Sequence, residues 1–312
     1  MTITKQPVID IGSNSMRLTV YAVNSEEKFR IIFRDKIMAG LASYVRGGAL
    51  SDEGIARACD ALSEFRQILE LLNIYEASVF ATASLRNVSN TREALEAIEA
   101  ATGYDIEILS GEEEALLGYM GAMEELSISE GVFTDVGGAS TEVVLFKDGI
   151  AQKSKSFAVG SLSLYRNCVK EILPDKGSRI RIESMLKKEI DGDTAFDRGR
   201  FSPMIGVGGT SRAVLRMAKK FFDLPDNSNS MTAQQLDILY KTLCRGDRKA
   251  IDLILWTGAE RIHTLVPGMM ILRHVLNRFG SDALVVSKYG LREGYLCQKL
   301  LRKDINTRKT ES

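Results

Sequence analysis

The sequence predicts an α/β fold of two similar domains, each a mixed sheet with flanking helices, that face each other across an active-site cleft. The stretch "VIDIGSNSMRLTVY" near the start recurs as "VFTDVGGASTEVVLF" in the middle, with Asp10 and Asp135 in matching places. Strand-like and helix-like stretches follow each copy in the same order. The length of 312 residues also exceeds the usual size of a single core. We therefore predict domain I at residues 1–124, domain II at 125–295, and a last helix at about 296–312 that packs back on domain I.

Apolar and β-branched residues predict three strands at the start of the chain, at residues 8–10, 17–23 and 29–33, joined by turn-like segments. The next segment has apolar residues at helical spacing from Ser51 onward, and Ser51 is a candidate N-cap. A buried strand "ASVFATASL", a helix that ends at Gly103 and the strand "YDIEILS" complete the first half.

From Gly131 the same order begins again, with three strands in "VFTDVGGAS", "TEVVLFKDG" and "IAQKSKSFAVG". Helical stretches follow, then "MIGVGG" as a strand, further helix to about Asn277, and "ALVVSKYG" as the final strand before a last helix. A duplicated unit of three strands with helices explains why the opening phrase occurs twice.

Composition limits the classes of protein that fit. No apolar run approaches the roughly 18 residues needed to span a bilayer, and the start lacks the regions of a signal peptide. We therefore expect a cytoplasmic protein without a membrane partner. Residues 1–150 carry 12 basic and 24 acidic side chains, whereas residues 151–312 carry 29 basic and 17 acidic ones. This asymmetry suggests a polyanionic partner for the second half, with solvated helix faces as the alternative.

The repeated phrase places small residues directly after a strand that ends in Asp. Such a turn leaves backbone N–H groups unpaired, an arrangement that favours phosphate oxygens. An aspartate at this place is better suited to hold Mg²⁺, directly or through water, so Asp10 and Asp135 are candidate metal ligands. The expected phosphate donors of the two turns are Gly12, Ser13, Asn14, Gly137, Gly138 and Ser140.

A third glycine turn, in "MIGVGGTSRAVLRMAKKFF", places Gly208 and Gly209 after a strand and Thr210 at a helix start. A cap and the helix dipole favour an anion there, and a tight packing turn is the alternative. Arg86, at the end of the buried strand in "ATASLRNVSN", could grip phosphate with two hydrogen bonds. A surface ion pair is the alternative for this residue.

Three consecutive glutamates in "SGEEEALLGYMGAM" raise the question of which one is catalytic. If Ser110 caps this helix, Glu113 closes a capping box, and the glutamate before it complements the helix dipole. Glu114 is then left without a structural role. The helix face that continues from Glu114 through Gly118 and Gly121 is smooth, which suggests that another backbone or a ligand comes close.

Together these motifs resemble the exopolyphosphatase and guanosine pentaphosphate phosphatase (Ppx/GppA) family, which belongs to the actin, Hsp70 and sugar-kinase superfold. The motifs that carry the resemblance follow the family order across nearly the whole chain: "DIGSNSMRL", "ATASLRNVSN", "ILSGEEEALLGYMG", "TDVGGASTEVV", "IGVGGTSRAV", "ERIHTLVPGMMIL" and "SKYGLREGYL". The chain resembles the short two-domain form, since it ends before the HD-type C-terminal domain of longer members. Ala139 departs from the family's Gly-Gly-Gly-Ser and would cost roughly 1 to 2 kcal/mol if its backbone needed positive φ.

The resemblance implies roles for several of these residues. Glu114 would be the general base that activates water, and Asp10 and Asp135 would sit at a Mg²⁺ cofactor. Glu142 joins them as a candidate metal ligand and would line the phosphate site together with Arg86 and the glycine turns.

We therefore expect an exopolyphosphatase that removes the terminal phosphate of inorganic polyphosphate. The alternative is a guanosine pentaphosphate 5′-phosphohydrolase, and a sugar or acid kinase or a non-catalytic nucleotide-binding module of the same superfold is less favoured. No nucleic-acid partner is expected, and a homodimer stays open.

Residues 151–220 carry 15 basic and 7 acidic side chains, which suggests a track for a long polyphosphate. The track residues are Lys153, Lys155, Arg179, Arg181, Lys187 and Lys188.

Overall fold

The computed structural model of the protein describes residues 3–194, 196 and 199–302. The chain forms two compact units. Unit 1 comprises Met1–Glu113 together with Tyr295–Ser312, and unit 2 comprises Glu114–Gly294. Each unit is built around its own sheet and hydrophobic core.

The strands occur in an order that repeats along the chain. The strands of unit 1 are β1 Thr4–Ile11, β2 Met16–Val23, β3 Phe29–Ile37, β4 Val45–Arg46, β5 Ala49–Leu50, β6 Ser78–Ala81 and β7 Ile106–Ile108. The strands of unit 2 are β8 Gly131–Val136, β9 Thr141–Lys147, β10 Ile150–Phe157, β11 Met204–Val207, β12 Ser230–Thr232 and β13 Ala283–Val286.

The helices lie between these strands in both units. Unit 1 contains α1 Asp52–Leu71, α2 Ala83–Arg86 and α3 Thr91–Thr102, and α4 Gly111–Met123 continues from unit 1 into unit 2. The later helices are α5 Ser161–Cys168, α6 Lys176–Leu186, α7 Gly208–Phe222, α8 Ala233–Leu243, α9 Arg248–Thr257, α10 Leu265–Arg278 and α11 Leu291–Tyr295. Short 3₁₀ segments occur at Leu41–Tyr44 and Ala259–Arg261, and π-helical segments at Lys187–Asp191 and Leu296–Leu300. None of the helices in the described part of the chain combines the length and apolarity needed to cross a membrane.

The sheet of unit 1 has the strand order β3–β2–β1–β6–β7. Strands β1, β2 and β3 are antiparallel, and β6 and β7 continue the sheet from β1 in parallel. The core of this unit is formed by apolar side chains such as Leu18, Phe65 and Ile98, which are fully buried. The predicted order of three strands, helix, strand, helix, strand is therefore confirmed for the first half.

The sheet of unit 2 repeats this plan in the order β10–β9–β8–β11–β13–β12. Strands β8, β9 and β10 are antiparallel, β11 and β13 are parallel to β8, and β12 is antiparallel to β13. The predicted fold class, two similar α/β units with mixed sheets, is confirmed. The sequence predicted neither β12, which is defined by its pairing with β13, nor the two-residue strands β4 and β5.

The helix ends confirm three local predictions. Ser51 caps α1, since its hydroxyl oxygen accepts a hydrogen bond from the amide of Gly54 at 3.4 Å. Gly103 ends α3 in the left-handed conformation, with φ of 66°. At the start of α4 the amide of Glu113 donates to the hydroxyl oxygen of Ser110 at 3.1 Å, and the amide of Ser110 donates to the carboxylate of Glu113 at 3.0 Å. This is the predicted capping box.

Helix α4 packs within unit 2 through its glycines. A Cβ on Gly118 would lie 2.9 Å from the ring of Phe133, and one on Gly121 would lie 1.9 Å from the carbonyl oxygen of Gly290. Of the two predicted explanations for the smooth face, close approach of another backbone is therefore confirmed. Because this packing holds most of α4 in unit 2, the second compact unit begins at Glu114 rather than at the predicted residue 125. The shared cleft stays a prediction.

The chain returns to unit 1 at the end of α11. The hydroxyl of Tyr295 donates to the carboxylate of Glu107 at 2.8 Å, and the ring centroids of Tyr295 and Phe80 lie 4.7 Å apart. Lys299 lies 2.8 Å from the other oxygen of Glu107. Of the predicted last helix at 296–312, the structure gives a helical segment at Leu296–Leu300, after which Leu301 and Arg302 are not helical; residues 303–312 lie outside the described residues.

Candidate functional site

The second glycine turn joins β8 to β9 and exposes two backbone donors. The amide of Gly137 donates to the carbonyl oxygen of Ser140 at 3.0 Å and so closes the turn. Within the described residues, the amides of Gly138 and Ala139 donate to no protein acceptor. The prediction that Gly137 supplies a phosphate donor is therefore corrected: its amide is used inside the turn, and Gly138 and Ala139 carry the open donors.

Helix α5 fixes this turn by binding its carbonyl groups. The amides of Ser161 and Leu162 donate to the carbonyl oxygens of Gly137 and Gly138, each at 2.9 Å. A Cβ on Gly160 would lie 2.5 Å from the carbonyl carbon of Gly138, so only glycine allows this approach. The carbonyl groups of the turn are thus bound by α5, and the amides of Gly138 and Ala139 are left as its open hydrogen-bonding groups.

Ala139 fits the turn without backbone strain. It is absent from the described non-glycine residues with positive φ, which are Glu27, Asn73, Asp148, Asp223 and Arg302. The cost that the departure from the family's Gly-Gly-Gly-Ser could carry is therefore absent at this position.

The first turn, between β1 and β2 in unit 1, is built in the same way. The carbonyl oxygens of Ser13 and Asn14 accept hydrogen bonds from the amides of Ala42 and Gly40 at 2.9 and 3.0 Å. Among the described residues, no protein acceptor binds the amides of Ser13 and Asn14. A Cβ on Gly12 would lie 2.9 Å from a backbone carbonyl oxygen, which explains the glycine. The sequence repeat is thus a repeat of hydrogen bonding as well.

The third turn brings the start of α7 against Asp135. Gly208, the first residue of α7, has φ of 78°, and a Cβ there would lie 2.3 Å from Oδ1 of Asp135. The N-cap residue, Val207, makes no side-chain capping bond. Helix α7 has 15 residues, and its uncapped start lies beside Asp135 at the end of β8. The amide groups of its first turn are therefore available to an anion or to water.

Thr210 does not serve as the predicted N-cap, and its side chain packs inside unit 2. Helix α7 begins at Gly208, and the hydroxyl of Thr210 donates to the carbonyl oxygen of Val136 at 3.2 Å. Its methyl group lies against Gly268, where a Cβ would approach it to 2.6 Å. The side chain therefore joins α7 to β8 and to α10, whereas phosphate binding by the amide of Thr210, in the first turn of α7, stays a prediction.

Arg261 is a site residue that the sequence analysis did not select. Its guanidinium nitrogens would lie 2.8 and 3.0 Å from a Cβ on Gly209, so the group covers the first turn of α7. Its Nε is buried and has no hydrogen-bond partner among the described residues. Burial lowers the pKa of Arg261, the carboxylate of Glu260 opposes this, and the positive charge of Arg216 lowers the pKa further. The quoted motif "ERIHTLVPGMMIL" contained this arginine, but nothing local links it to a turn about fifty positions away.

Three acidic side chains meet beside these turns. Glu142 on β9 lies directly opposite Asp135 on β8 and is 2% exposed. Its carboxyl accepts a hydrogen bond from the hydroxyl of Ser156 at 2.7 Å. Burial raises the pKa of Glu142 well above its ordinary value, and the charges of Glu114 and Asp135 raise it further, while hydrogen bonds from Ser156 and Ser140 oppose the rise. The site therefore concentrates negative charge where the turns present amide donors.

Glu114 stands apart from its two neighbours in the glutamate triplet. Glu113 is held in the capping box, which is the main reason why its pKa is lowered, and it also lies 3.4 Å from Lys299. Glu112 is exposed. Glu114 is half-buried and lies close enough to Glu142 to influence its ionisation. The structure thus brings only the third glutamate toward Asp135 and Glu142.

The acidic cluster suits a divalent cation in its chemistry. Among the residues that the structure describes, no three His, Cys, Asp or Glu side chains are arranged to hold a metal ion together. Asp135 nevertheless offers carboxylate oxygens, the ligands that Mg²⁺ prefers, in a local excess of negative charge that a cation would relieve. Glu142 is the least suited of the predicted ligands, because a cation binds the ionised carboxylate and burial raises the pKa of this carboxyl. Asp10 occupies the matching place in unit 1 and is 8% exposed.

Arg86 lies in the short helix α2 rather than at the end of the strand, because β6 ends at Ala81. Its Nη1 donates to the carbonyl oxygen of Leu109 at 2.8 Å. Leu109 immediately precedes Ser110, the N-cap of α4. Arg86 therefore supports the chain at the start of the helix that carries Glu114, and its predicted role in phosphate binding stays a prediction.

The two arginines of the predicted polyphosphate track hold backbone carbonyl groups. Nη1 of Arg179 donates to the carbonyl oxygens of Pro174 and Cys244 at 3.0 and 3.3 Å. Nη2 of Arg181 donates to the carbonyl oxygen of Cys168 at 2.8 Å. These guanidinium groups stabilise the structure around α6, which corrects the prediction that they form part of an open track.

The lysines of that predicted track have mixed surroundings. Lys155 forms an ion pair with Asp193, and Lys188 lies 3.7 Å from Glu189. Lys187 is exposed and Lys153 is half-buried on β10. Nothing in these contacts joins the four lysines into one surface.

Comparison with known proteins agrees with the motifs. The model of the Ppx/GppA phosphatase family matches residues 19–303. An exopolyphosphatase 1 from Mycobacterium tuberculosis is 25% identical over 306 residues, covering 94% of this chain and 87% of that protein. A guanosine-5′-triphosphate,3′-diphosphate pyrophosphatase from Vibrio parahaemolyticus is 26% identical, over 96% of this chain and 61% of that longer protein.

Two further matches describe the range of the similarity. A bifunctional 3-dehydroquinate synthase/phosphatase from Fusobacterium nucleatum is 25% identical over 90% of this chain, which spans only 44% of that protein. The crystal structure of an exopolyphosphatase from Cytophaga hutchinsonii has the same fold, with a TM-score of 0.84 and 22% identity, over 97% of this chain and 99% of the other. Because the family model covers most of the sequence, the chain belongs to the Ppx/GppA phosphatase family.

Proposed function

We propose that the protein is an exopolyphosphatase that hydrolyses the terminal phosphate of inorganic polyphosphate. One observation carries the proposal. Glu114 and Asp135 both act electrostatically on Glu142, beside a turn whose amides, at Gly138 and Ala139, have no acceptor among the described residues. A base next to anion donors is what hydrolysis of a phosphoric anhydride requires.

The proposed reaction uses side chains and amides of unit 2. Water attacks the terminal phosphorus in line with the bond to the next phosphate, and Glu114 takes the proton of the attacking water. The amides of Gly138, Ala139 and the start of α7 hold the equatorial oxygens, and Arg261 adds positive charge near Gly209. The bond between phosphorus and the bridging oxygen then breaks, and its electron pair leaves with the shortened chain.

Magnesium is part of the proposal. Asp135 would hold it, and Asp10, in the matching turn of unit 1, is the second candidate ligand. When bound, Mg²⁺ neutralises charge on phosphate oxygens and so lowers the barrier to attack by water. Glu142 would contribute a hydrogen bond rather than a negative charge, because burial keeps its pKa high.

A guanosine pentaphosphate 5′-phosphohydrolase is the second candidate. The similarity to the guanosine-5′-triphosphate,3′-diphosphate pyrophosphatase, at 26% identity, equals the similarity to the exopolyphosphatases. Both reactions break a terminal phosphoric anhydride bond, so the same base and the same donors serve either substrate. The two functions differ only in what holds the rest of the substrate.

Phosphate release decides between these functions. Long-chain polyphosphate, guanosine pentaphosphate and ATP are each incubated with the protein in Mg²⁺ and, in parallel, in excess EDTA. We expect phosphate from long polyphosphate at the highest kcat/KM, and only with Mg²⁺. Preference for guanosine pentaphosphate would favour the second candidate. Phosphorylation of an added alcohol by ATP would indicate a kinase, and binding without any turnover would indicate a nucleotide-binding module.

A further inference from the structure

Helix α7 carries a row of positive charge that begins at the candidate site. Its sequence, from Gly208 to Phe222, contains four basic residues and no acidic one. Residues four positions apart lie on neighbouring turns of one helix face, about 5–6 Å apart at Cβ. One such series starts at the turn beside Asp135: Gly208, Arg212, Arg216 and Lys220. We call Arg212, Arg216 and Lys220 the α7 row.

Arg261 joins the α7 row to the candidate phosphate turn. Its guanidinium covers Gly209, and it lies close enough to Arg216 for the two positive charges to repel. Glu260 offsets this repulsion in part, with an oxygen 3.8 Å from Nε of Arg261. Two neighbouring arginines that repel each other at the edge of a site are stabilised by a bound anion.

The far end of the α7 row is marked by an exposed tryptophan. Nζ of Lys220 lies 4.2 Å from the ring centroid of Trp256, which is 48% exposed at the end of α9. The fourth basic residue of α7, Lys219, donates instead to the carbonyl oxygen of Asp226 and does not belong to the row. From Gly209 to Lys220 the helix rises by about 16 Å. The charged surface is therefore much longer than a single phosphate group.

We infer that the α7 row binds the distal part of a long polyphosphate chain while its terminal phosphate occupies the glycine turns. A linear polyanion can follow cations spaced along a helix, whereas a compact substrate reaches no further than Arg261. The inference rests on the proposed function and deepens it, because it makes chain length the property that the protein recognises. It also replaces the track around α6, whose arginines hold backbone carbonyl groups.

Inorganic polyphosphate fits this surface better than a nucleic acid does. The row is continuous with the turns proposed to hold the reacting phosphate, so one ligand explains both features. Single-stranded nucleic acid is bound by several exposed aromatic side chains on which successive bases stack, whereas the described contact between a cation of the α7 row and an exposed aromatic ring is the one with Trp256.

Intrinsic fluorescence tests the inference directly, because Trp256 is the single tryptophan of the chain. The protein with Glu114→Gln, in EDTA, is titrated with long-chain polyphosphate, with tripolyphosphate and with a single-stranded RNA oligonucleotide. We expect a saturable change with long polyphosphate only. Arg216→Gln should weaken that binding several-fold and lower the slope of log K against log salt by about 1, by analogy with phosphate contacts to nucleic acids.

Steady-state kinetics supply the second readout. In otherwise wild-type protein, Arg216→Gln with Lys220→Gln should raise KM for long polyphosphate several-fold, leaving kcat and the KM for tripolyphosphate unchanged. The matched control, Lys28→Gln with Arg92→Gln, removes two exposed cations of unit 1 and should change neither. Equal losses for both chain lengths, an unchanged affinity for the long chain, or tighter binding of the RNA would overturn the inference. Because binding is measured without turnover, failure of the proposed hydrolysis would show separately as no phosphate release.

Discussion

Glu142 faces Asp135 across the β8–β9 pair, so a buried carboxyl group lies opposite a half-buried one. The folded-state pKa of Glu142 is raised, first by burial and then by the charges of Glu114 and Asp135. Above about pH 4.5 the unfolded chain loses a proton from Glu142 that the folded protein still keeps. The free energy of unfolding therefore falls as the pH rises from there through the raised pKa of the folded state. Glu142→Gln resembles the protonated form and keeps an acceptor for Ser156.

We predict that Glu142→Gln gains stability over the wild type progressively as the pH rises from about 4.5, in the absence of divalent ions. Urea unfolding at several pH values in EDTA measures this difference. Glu130→Gln removes an exposed carboxylate and serves as the control. A stability difference that stays constant with pH would show that Glu142 is not held neutral by its surroundings.

Gly208 combines positive φ with a carboxylate at the place of a missing Cβ. We predict that Gly208→Ala lowers the free energy of unfolding by more than the roughly 1 to 2 kcal/mol that left-handed backbone strain alone would cost, because Asp135 must also move. Displacing Asp135 should lower phosphate release on the order of 10²-fold. Gly246→Ala is the matched control, since Gly246 has φ of 63° and open space around it, and should lose stability alone. Thermal unfolding and a phosphate assay on both variants test this, and equal activity of the two would contradict it.

Local spacing predicted the parts of the site that depend on neighbours in sequence. Ser110 and Glu113 form their box within one helical turn, and the Asp-x-Gly turns follow directly from their strands. The features that the sequence did not predict depend on residues distant in sequence. The hydroxyl of Thr210 donates to a carbonyl oxygen of β8, and Arg261, in the 3₁₀ segment after α9, lies against Gly209. Such contacts are decided by tertiary packing, which a spacing pattern does not contain.

Helix α4 is held in place by direct backbone contact between Gly121 and the start of α11, at Gly290 and Gly294. A Cβ on Gly121 would lie 1.9 Å from the carbonyl oxygen of Gly290 and 2.7 Å from the amide nitrogen of Gly294. Glycine to alanine inside a helix normally gains up to about 1 kcal/mol. Here the two backbones would have to separate, and overpacking typically costs about 1–3 kcal/mol.

We predict that Gly121→Ala lowers the melting temperature and also the rate, because α4 carries Glu114. A Cβ on Gly177, in the first turn of α6, would lie 3.4 Å from the flexible end of Arg181 and at an ordinary contact distance of 3.8 Å from the carboxylate of Asp175. Gly177→Ala should leave activity unchanged and stabilise the protein by up to about 1 kcal/mol. Calorimetry with a parallel activity assay measures both variants. A stabilised, fully active Gly121→Ala protein would show that the contact does not position the helix.

The order of the main strands and helices along the chain followed from the sequence because the opening phrase is repeated and apolar runs alternate with helical spacing. The limits of elements were harder to predict. The apolar run of "ASVFATASL" continues past Ala81, yet the residues after it form α2, because a buried apolar run looks the same in a strand and in a helix. Strand β12 is defined by its pairing with β13 rather than by a pattern of its own.

For the whole molecule, the separation of charge is the property that bears on substrate choice. Residues 151–312 hold 29 basic and 17 acidic side chains, and the α7 row lies among them. We predict that KM for long polyphosphate rises steeply between low and physiological salt, whereas KM for tripolyphosphate changes little, because the short chain displaces fewer counterions. Initial rates over a series of salt concentrations test this. If the KM values of the two substrates rose equally with salt, the charge of this half would not explain a preference for long chains.

The proposed function requires that water, activated by Glu114, attacks the terminal phosphorus of polyphosphate. The most direct measurement is the mass of the phosphate released in the first turnover of long polyphosphate in ¹⁸O-labelled water with Mg²⁺. We expect one ¹⁸O atom per phosphate released by the wild type and by Glu113→Gln, which retains the capping box, and a rate roughly 10²- to 10⁴-fold lower for Glu114→Gln. Unlabelled phosphate, or a Glu114→Gln protein as fast as Glu113→Gln, would contradict it.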